Sequence, residues 1–341
     1  MQRMDIGRAF EPAFRYMADM LFRPFMLRMW LALGFTFTVG YGLSSSTATP
    51  NPARFWRWNR TEGLWWAGRM ASWLAHYWPL LLTGLLALVA IGLVFVWLSS
   101  VFQFVYIDNI TRKSGAVAEP FARLMRLGGL YFLWRMAFGA VVLVAVGILA
   151  GLPLLVVFVP ATSVATKVAA AVWAGMIGIL LSILAAIIQI LAKDFLVPAM
   201  YVRQAGVIEG WRTVLPALTA NVGQTLLYLL MLAALGIGIT AVGLIAALVL
   251  LVALAIPVGL LALLGYVAGQ AAHLTWSPPV IGMAGALGLI VLLGYTYLFQ
   301  CVMQPAYVFR RCFSLVVLGQ ADPSLATIPL ETPPTTPPEQ A

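Results

Sequence analysis

Charge is what this chain has least of. Only 9% of its 341 residues are Asp, Glu, Lys or Arg, and 62% are hydrophobic, whereas soluble domains are roughly a quarter charged. A chain so poor in charge cannot cover a soluble surface, so its solvent is a bilayer. Histidine is confined to His76 and His273, and cysteine to Cys301 and Cys312. No paired-histidine zinc motif, nucleophile elbow, phosphate-cradling glycine loop or dinucleotide fingerprint occurs. Catalysis needs positioned acids, bases or metal ligands, so the sequence points away from an enzyme and implies neither cofactor nor metal. On one helix the two cysteines would lie about 16 Å apart along the axis, too far for a disulfide, and they read as unpaired thiols used as small apolar residues.

What the chain has in abundance is apolar sequence. Runs near 25–43, 79–105, 129–159, 168–192, 222–268 and 280–303 each satisfy the requirement of about 20 residues per helical span. They are solidly apolar rather than alternating, which excludes a membrane barrel. The expected fold is therefore an all-α polytopic membrane helix bundle of six transmembrane helices. The 129–158 span would be about 45 Å long, more than the bilayer core, and Gly151-Leu152-Pro153 is its expected bend. The 222–268 run could hold two spans by arithmetic, but no polar turn divides it, and a seventh span would carry Arg310 and Arg311 to the outer side. One span to about 251, a break at Pro257 and an apolar connector over 258–278 is the expectation; seven spans is the alternative.

The net charge of +9 is explained by where the cations sit. With the N-terminus cytoplasmic, that side holds Arg3, Arg8, Arg15, Arg23, Arg28, Arg112, Lys113, Arg123, Arg126, Lys193, Arg203, Arg212, Arg310 and Arg311. The outer side holds Arg54, Arg57, Arg60, Arg69 and Lys167, and Arg135 falls inside a span. That bias places both termini in the cytoplasm. The loop over 44–78 interleaves Trp56, Trp58, Trp65, Trp66, Trp73 and Trp78 with arginines. In a membrane protein this is an interfacial aromatic belt rather than a platform for single-stranded nucleic acid. Leu64 to Tyr77 is expected as an outer interfacial helix.

Three domains follow. Residues 1–24 form a cytoplasmic amphipathic helix, with Ile6, Phe10, Ala13, Phe14, Met17 and Leu21 on one face. Residues 25–319 form the bundle, as hairpins over about 25–107, 129–197 and 222–307. Residues 320–341 form a disordered proline-rich tail.

A recurring joint links the hairpins. A span ends in Phe104-Val105-Tyr106-Ile107 with Arg112 and Lys113 after it, and the chain restarts at Glu119-Pro120-Phe121-Ala122-Arg123. The next copy runs through Pro198-Ala199-Met200-Tyr201-Val202-Arg203 to Glu209-Gly210-Trp211-Arg212, and the last reads Pro305-Ala306-Tyr307-Val308-Phe309-Arg310-Arg311. Glu11-Pro12-Ala13-Phe14-Arg15 matches the restart. Asp108 and Asp194 sit near equivalent joint positions, as structural ion pairs or as a carboxylate pair for metal or proton chemistry. Arg135 either meets an anionic substrate or headgroup, or snorkels or pairs with Asp108 or Asp194.

The amphipathic start, the paired spans and the aromatic-proline joints together resemble bacterial polytopic proteins related to the membrane domain associated with glycerophosphodiester phosphodiesterases. The resemblance covers Ile6 to Gly319. It implies a membrane-embedded accessory module that handles lipids, without the phosphodiesterase barrel or its metal ligands.

The functional expectation is a non-catalytic inner-membrane protein that binds anionic lipid headgroups or a partner protein. The binding residues would be Arg112, Lys113, Arg123, Arg126, Arg135, Arg203 and Arg212. The partner protein would be another membrane protein or a second copy, with no role for nucleic acid. A transporter or channel for a neutral or lipid-like solute is the alternative.

Overall fold

The computed structural model describes residues 6–41, 60–159, 161–271 and 277–328, with backbone alone for 60–75, 278 and 279. The described residues are helical throughout, without strands. The helices are α1 (Ile6–Phe22), α2 (Leu27–Gly40), α3 (Arg60–Thr111), α4 (Ala118–Phe158), α5 (Val164–Arg203), α6 (Val207–Ala220), α7 (Val222–Ala271), α8 (Pro278–Val302) and α9 (Gln304–Ala321). Five of them, α3, α4, α5, α7 and α8, are long and apolar enough to cross a membrane. Where the first span is expected, α2 has 14 residues, about 21 Å of helix against a core of about 30 Å.

Two expected breaks are absent. The 222–271 run is one helix of 50 residues that passes through Pro257, so the break and separate connector do not form. An apolar segment that opens its backbone in lipid leaves groups nothing can satisfy, whereas one proline removes a single donor. Likewise Leu64 to Tyr77 is not a separate helix but the start of α3. The tryptophans before Arg60 and His273 lie outside the described residues. The proline at 153 does leave a mark. There α4 widens into a π-turn over Gly147–Gly151 and tightens to 3₁₀ geometry over Leu155–Phe158, the adjustment that accommodates a missing donor.

Burial is concentrated at one end. The faces of α1 and α9 meet through Ala13, Met17 and Leu21 against Val308, Cys312 and Val316, and Phe10 stands edge-on to Phe309 at 4.9 Å. The cluster extends past α9 to Leu325 and Ile328, and Asp322 pairs with Arg203 at 3.6 Å. The expected free tail from 320 is thus packed as far as Ile328. Beyond this end the long helices turn leucines outward, with Leu80, Leu88 and Ile256 each about two-thirds exposed or more. Water would not tolerate that surface, and lipid is indifferent to it.

Glycine sets the closest approach between spans. A Cβ on Gly128 of α4 would stand 2.6 Å from the Cα of Val101 on α3, backbone that cannot yield. Gly139 on the same helix has no atom within 4 Å. Gly128→Leu is therefore expected to cost about 1–3 kcal/mol or more, read as a lower melting midpoint in detergent, while Gly139→Leu changes the midpoint little. Equal effects would refute this packing.

Candidate functional site

The buried end of the bundle is where the three joints meet, and there the fold collects its polar groups. The first joint ends α3. Lys113 takes a left-handed conformation with φ of 49°, and Ser114 N–H reaches back to the Asn109 carbonyl at 3.0 Å. The second joint ends α5 in the same way, with Gln204 at φ 52° and Ala205 N–H bonded to the Met200 carbonyl at 3.3 Å. This six-to-one closure ends a helix sharply and satisfies its last carbonyls. The third joint only kinks at Met303 and continues as α9 through Arg310 and Arg311. After the second joint, α6 lies directly on it. Gly210 permits this, because a Cβ there would stand 2.7 Å from Leu196.

Each joint supplies a side chain to another. Asp108, in the first joint and 2% exposed, accepts a hydrogen bond from the Tyr201 hydroxyl of the second at 2.6 Å. It also holds Arg123 at 2.5 Å and Arg112 at 3.0 Å. Asp194, in the second joint and 4% exposed, pairs with Arg311 and Arg310 of the third at 3.3 and 3.5 Å, and accepts from the Tyr228 hydroxyl at 3.0 Å. Tyr106 of the first joint donates to Gln304 of the third at 3.4 Å, closing the circle. From outside, α1 fastens on: the Tyr16 hydroxyl donates to the Ile110 carbonyl at 2.9 Å, and the Lys113 ammonium lies 4.6 Å above the Tyr16 ring.

The remaining cations singled out in the sequence are dispersed around this centre. Arg135 reaches Ser100 Oγ at 3.2 Å and Ser99 Oγ at 3.5 Å on α3. Arg203 meets Ser324 and Asp322. Arg126 and Arg212 are exposed. Asp108 and Asp194 have separate sets of partners, and among the described residues no three His, Cys, Asp or Glu side chains converge as metal ligands. The list drawn from sequence omitted Arg310, Arg311, Tyr201, Tyr228 and Gln304. Tyr201, Arg310 and Arg311 had a signal in the aromatic residue followed by a basic one that recurs at each joint, whereas Tyr228, inside α7, had none.

The centre is electrostatically unbalanced. Among the described residues Asp194 is the one carboxylate paired with Arg310 and Arg311, and it raises the Arg310 guanidinium further above its ordinary value. Arg311 is 4% exposed, and its Nε and Nη2 have no hydrogen-bond partner among the described residues. Burial pushes the Cys312 thiol up to about 12, against the pull of neighbouring Arg311.

The chain belongs to a family. Its match to the family of unknown function DUF7544 runs over residues 4–328. That covers every described helix. The family's description names no activity. No curated protein and no solved structure matches the chain.

Two outcomes follow from this geometry. Removing one partner of a buried pair strands the other charge, at a cost of about 3–5 kcal/mol. Asp194→Ala is thus expected to destabilise the protein strongly, and adding Arg311→Met should restore much of the loss. A double variant no better than the single one would contradict the pairing. The raised Cys312 pKa favours the protonated thiol in the fold, so its contribution is present below the unfolded value of 9.0 and lost as pH climbs towards about 12. In a Cys301→Ser background at pH 8, maleimide should modify Cys312 only in denaturant. Rapid labelling of the folded protein would be the opposite result.

Proposed function

We propose that this protein is a non-catalytic, lipid-interacting membrane module of the bacterial inner membrane, with six spans in three hairpins and both termini cytoplasmic. One observation carries the reading: cations and exposed apolar side chains occur side by side at the buried end of the bundle. Arg112, Arg123, Arg126, Arg203 and Arg212 are accessible there. So are Phe10, Phe14 and Phe22 on α1 and Ile208 and Leu215 on α6. An amphipathic helix that keeps phenylalanines outward beside arginines is suited to the headgroup boundary. Each cation at such a surface attracts anionic lipid by roughly 1 kcal/mol. The position of α2 beside α3 and α8, with Gly34 against Cys301 and the Tyr297 hydroxyl on the Leu31 carbonyl at 2.9 Å, supports its counting as the first of the six spans.

Neutralising Lys113, Arg126, Arg203 and Arg212 together to Gln, which leaves the partners of Asp108 and Asp194 in place, is expected to lower the enrichment of phosphatidylglycerol over phosphatidylcholine by about tenfold or more. The measurement is the lipid retained by protein purified from equal mixtures, assayed by mass spectrometry at low salt, where these attractions are least screened. Unchanged enrichment in the fourfold variant, or none in the wild type, would refute the proposal.

A further inference from the structure

A groove of about 610 Å³ runs along α7. Its walls are Leu229, Ala233, Gly236, Gly243 and Ala247 of that helix, with Ile190 of α5, Phe299 of α8 and Tyr307 of α9, and Arg310 stands at one end. From Leu229 to Ala247 it extends about 27 Å along the helix axis, so its mean cross-section is about 20 Å². A helix is about 10 Å across, so a groove this narrow suits a slender occupant better than a partner helix. A single hydrocarbon chain is slender enough.

The end of the groove that holds Arg310 is also the end with surplus charge. Arg310 and Arg311 share one carboxylate, Asp194. Lys193, next in sequence, has no ion-pair partner among the described residues. Buried or half-buried cations in excess of anions call for a negative partner, and Arg310, about 40% exposed, is reachable from the lipid. A cation at the headgroup end of an apolar slot as long as an acyl chain is the complement of an anionic amphiphile.

We propose that this groove is a specific site for one anionic phospholipid, with an acyl chain along α7 over Gly236 and Gly243 and its phosphate on Arg310. The site is separate from the basic rim but rests on the same reading of the protein as lipid-interacting. The rim attracts anionic headgroups loosely and in number, while the groove selects one molecule by chain and charge together.

Native mass spectrometry of the full chain in detergent tests this, with phosphatidylglycerol and phosphatidylcholine titrated separately. A Cβ at Gly236 meets no atom within 4 Å, so Gly236→Phe fills the slot without disturbing a helix contact. Wild type is expected to retain one phosphatidylglycerol at least tenfold more tightly than any later one, and phosphatidylcholine with no such preference. Gly236→Phe and Arg310→Gln should each abolish that tight adduct. The fourfold rim variant should keep it while losing the weaker ones. Retention of the tight adduct by Gly236→Phe, or equally tight phosphatidylcholine, overturns the groove site and leaves the rim proposal standing. A rim variant with unaltered weak binding overturns the rim proposal and leaves the groove. Arg310 also pairs with Asp194, so should Arg310→Gln fail to fold, Gly236→Phe decides alone.

Discussion

Lipid offers no hydrogen bonds, and that constraint accounts for where the buried charges of the described residues are placed. The long helices carry almost nothing that would need a partner, so their leucines can face outward and their backbones need only satisfy themselves. The polar groups collect at the joints, where chain reversal cannot be avoided. There the Asp108 and Asp194 carboxylates, both nearly inaccessible, must be paired within the protein. An isolated buried charge would cost several kcal/mol. The joints are thus held together by the groups that the rest of the chain had no room for.

This explains why the fold is tight at one end and loose along its length. Hydrophobic burial does not drive helix association in a medium as apolar as leucine, so close contact depends on small residues and on polar bonds. Both are found near the joints: Gly128 against Val101, Gly40 against Phe102, Gly210 against Leu196, and the hydroxyls of Tyr106, Tyr201 and Tyr228 on Gln304, Asp108 and Asp194. Farther along, a Cβ added at Gly175, Gly178, Gly282 or Gly285 would meet no atom of another helix within 4 Å. Helical spacing shows that two glycines share a face but not what that face meets.

The helical class and the long apolar spans were legible in composition and run length. So were the three joints, since Phe-Val-Tyr, Pro-Ala-Met-Tyr and Pro-Ala-Tyr with following arginines recur at the ends of α3, α5 and α8. Pro257 and Pro153 could not be told apart in sequence. One is absorbed into a continuous helix and the other shifts the helix into a π-turn, and the difference depends on how neighbouring carbonyls are satisfied. The exchange of partners between joints was hidden for a similar reason. Tyr201 and Asp108 are 93 residues apart, and Arg311 and Asp194 are 117 apart. The four-residue spacing by which Glu11 and Arg15 pair on one helix does not operate across helices.

The imbalance at Asp194 follows from how the joints share their charges. The first joint brings an acid and two cations, and the acid is bound by one of those cations, by Arg123 and by the tyrosine of the second joint. The second joint brings its own acid and passes its arginine outward to Asp322. The third joint has no acid; Cys301 precedes Pro305 by four residues, as Asp194 precedes Pro198. Its two arginines must therefore borrow the second joint's carboxylate, and one carboxylate cannot neutralise both together with Lys193. With a cysteine in the last copy where the second has its acid, positive charge concentrates between the second and third joints, where Arg310 lines the groove along α7.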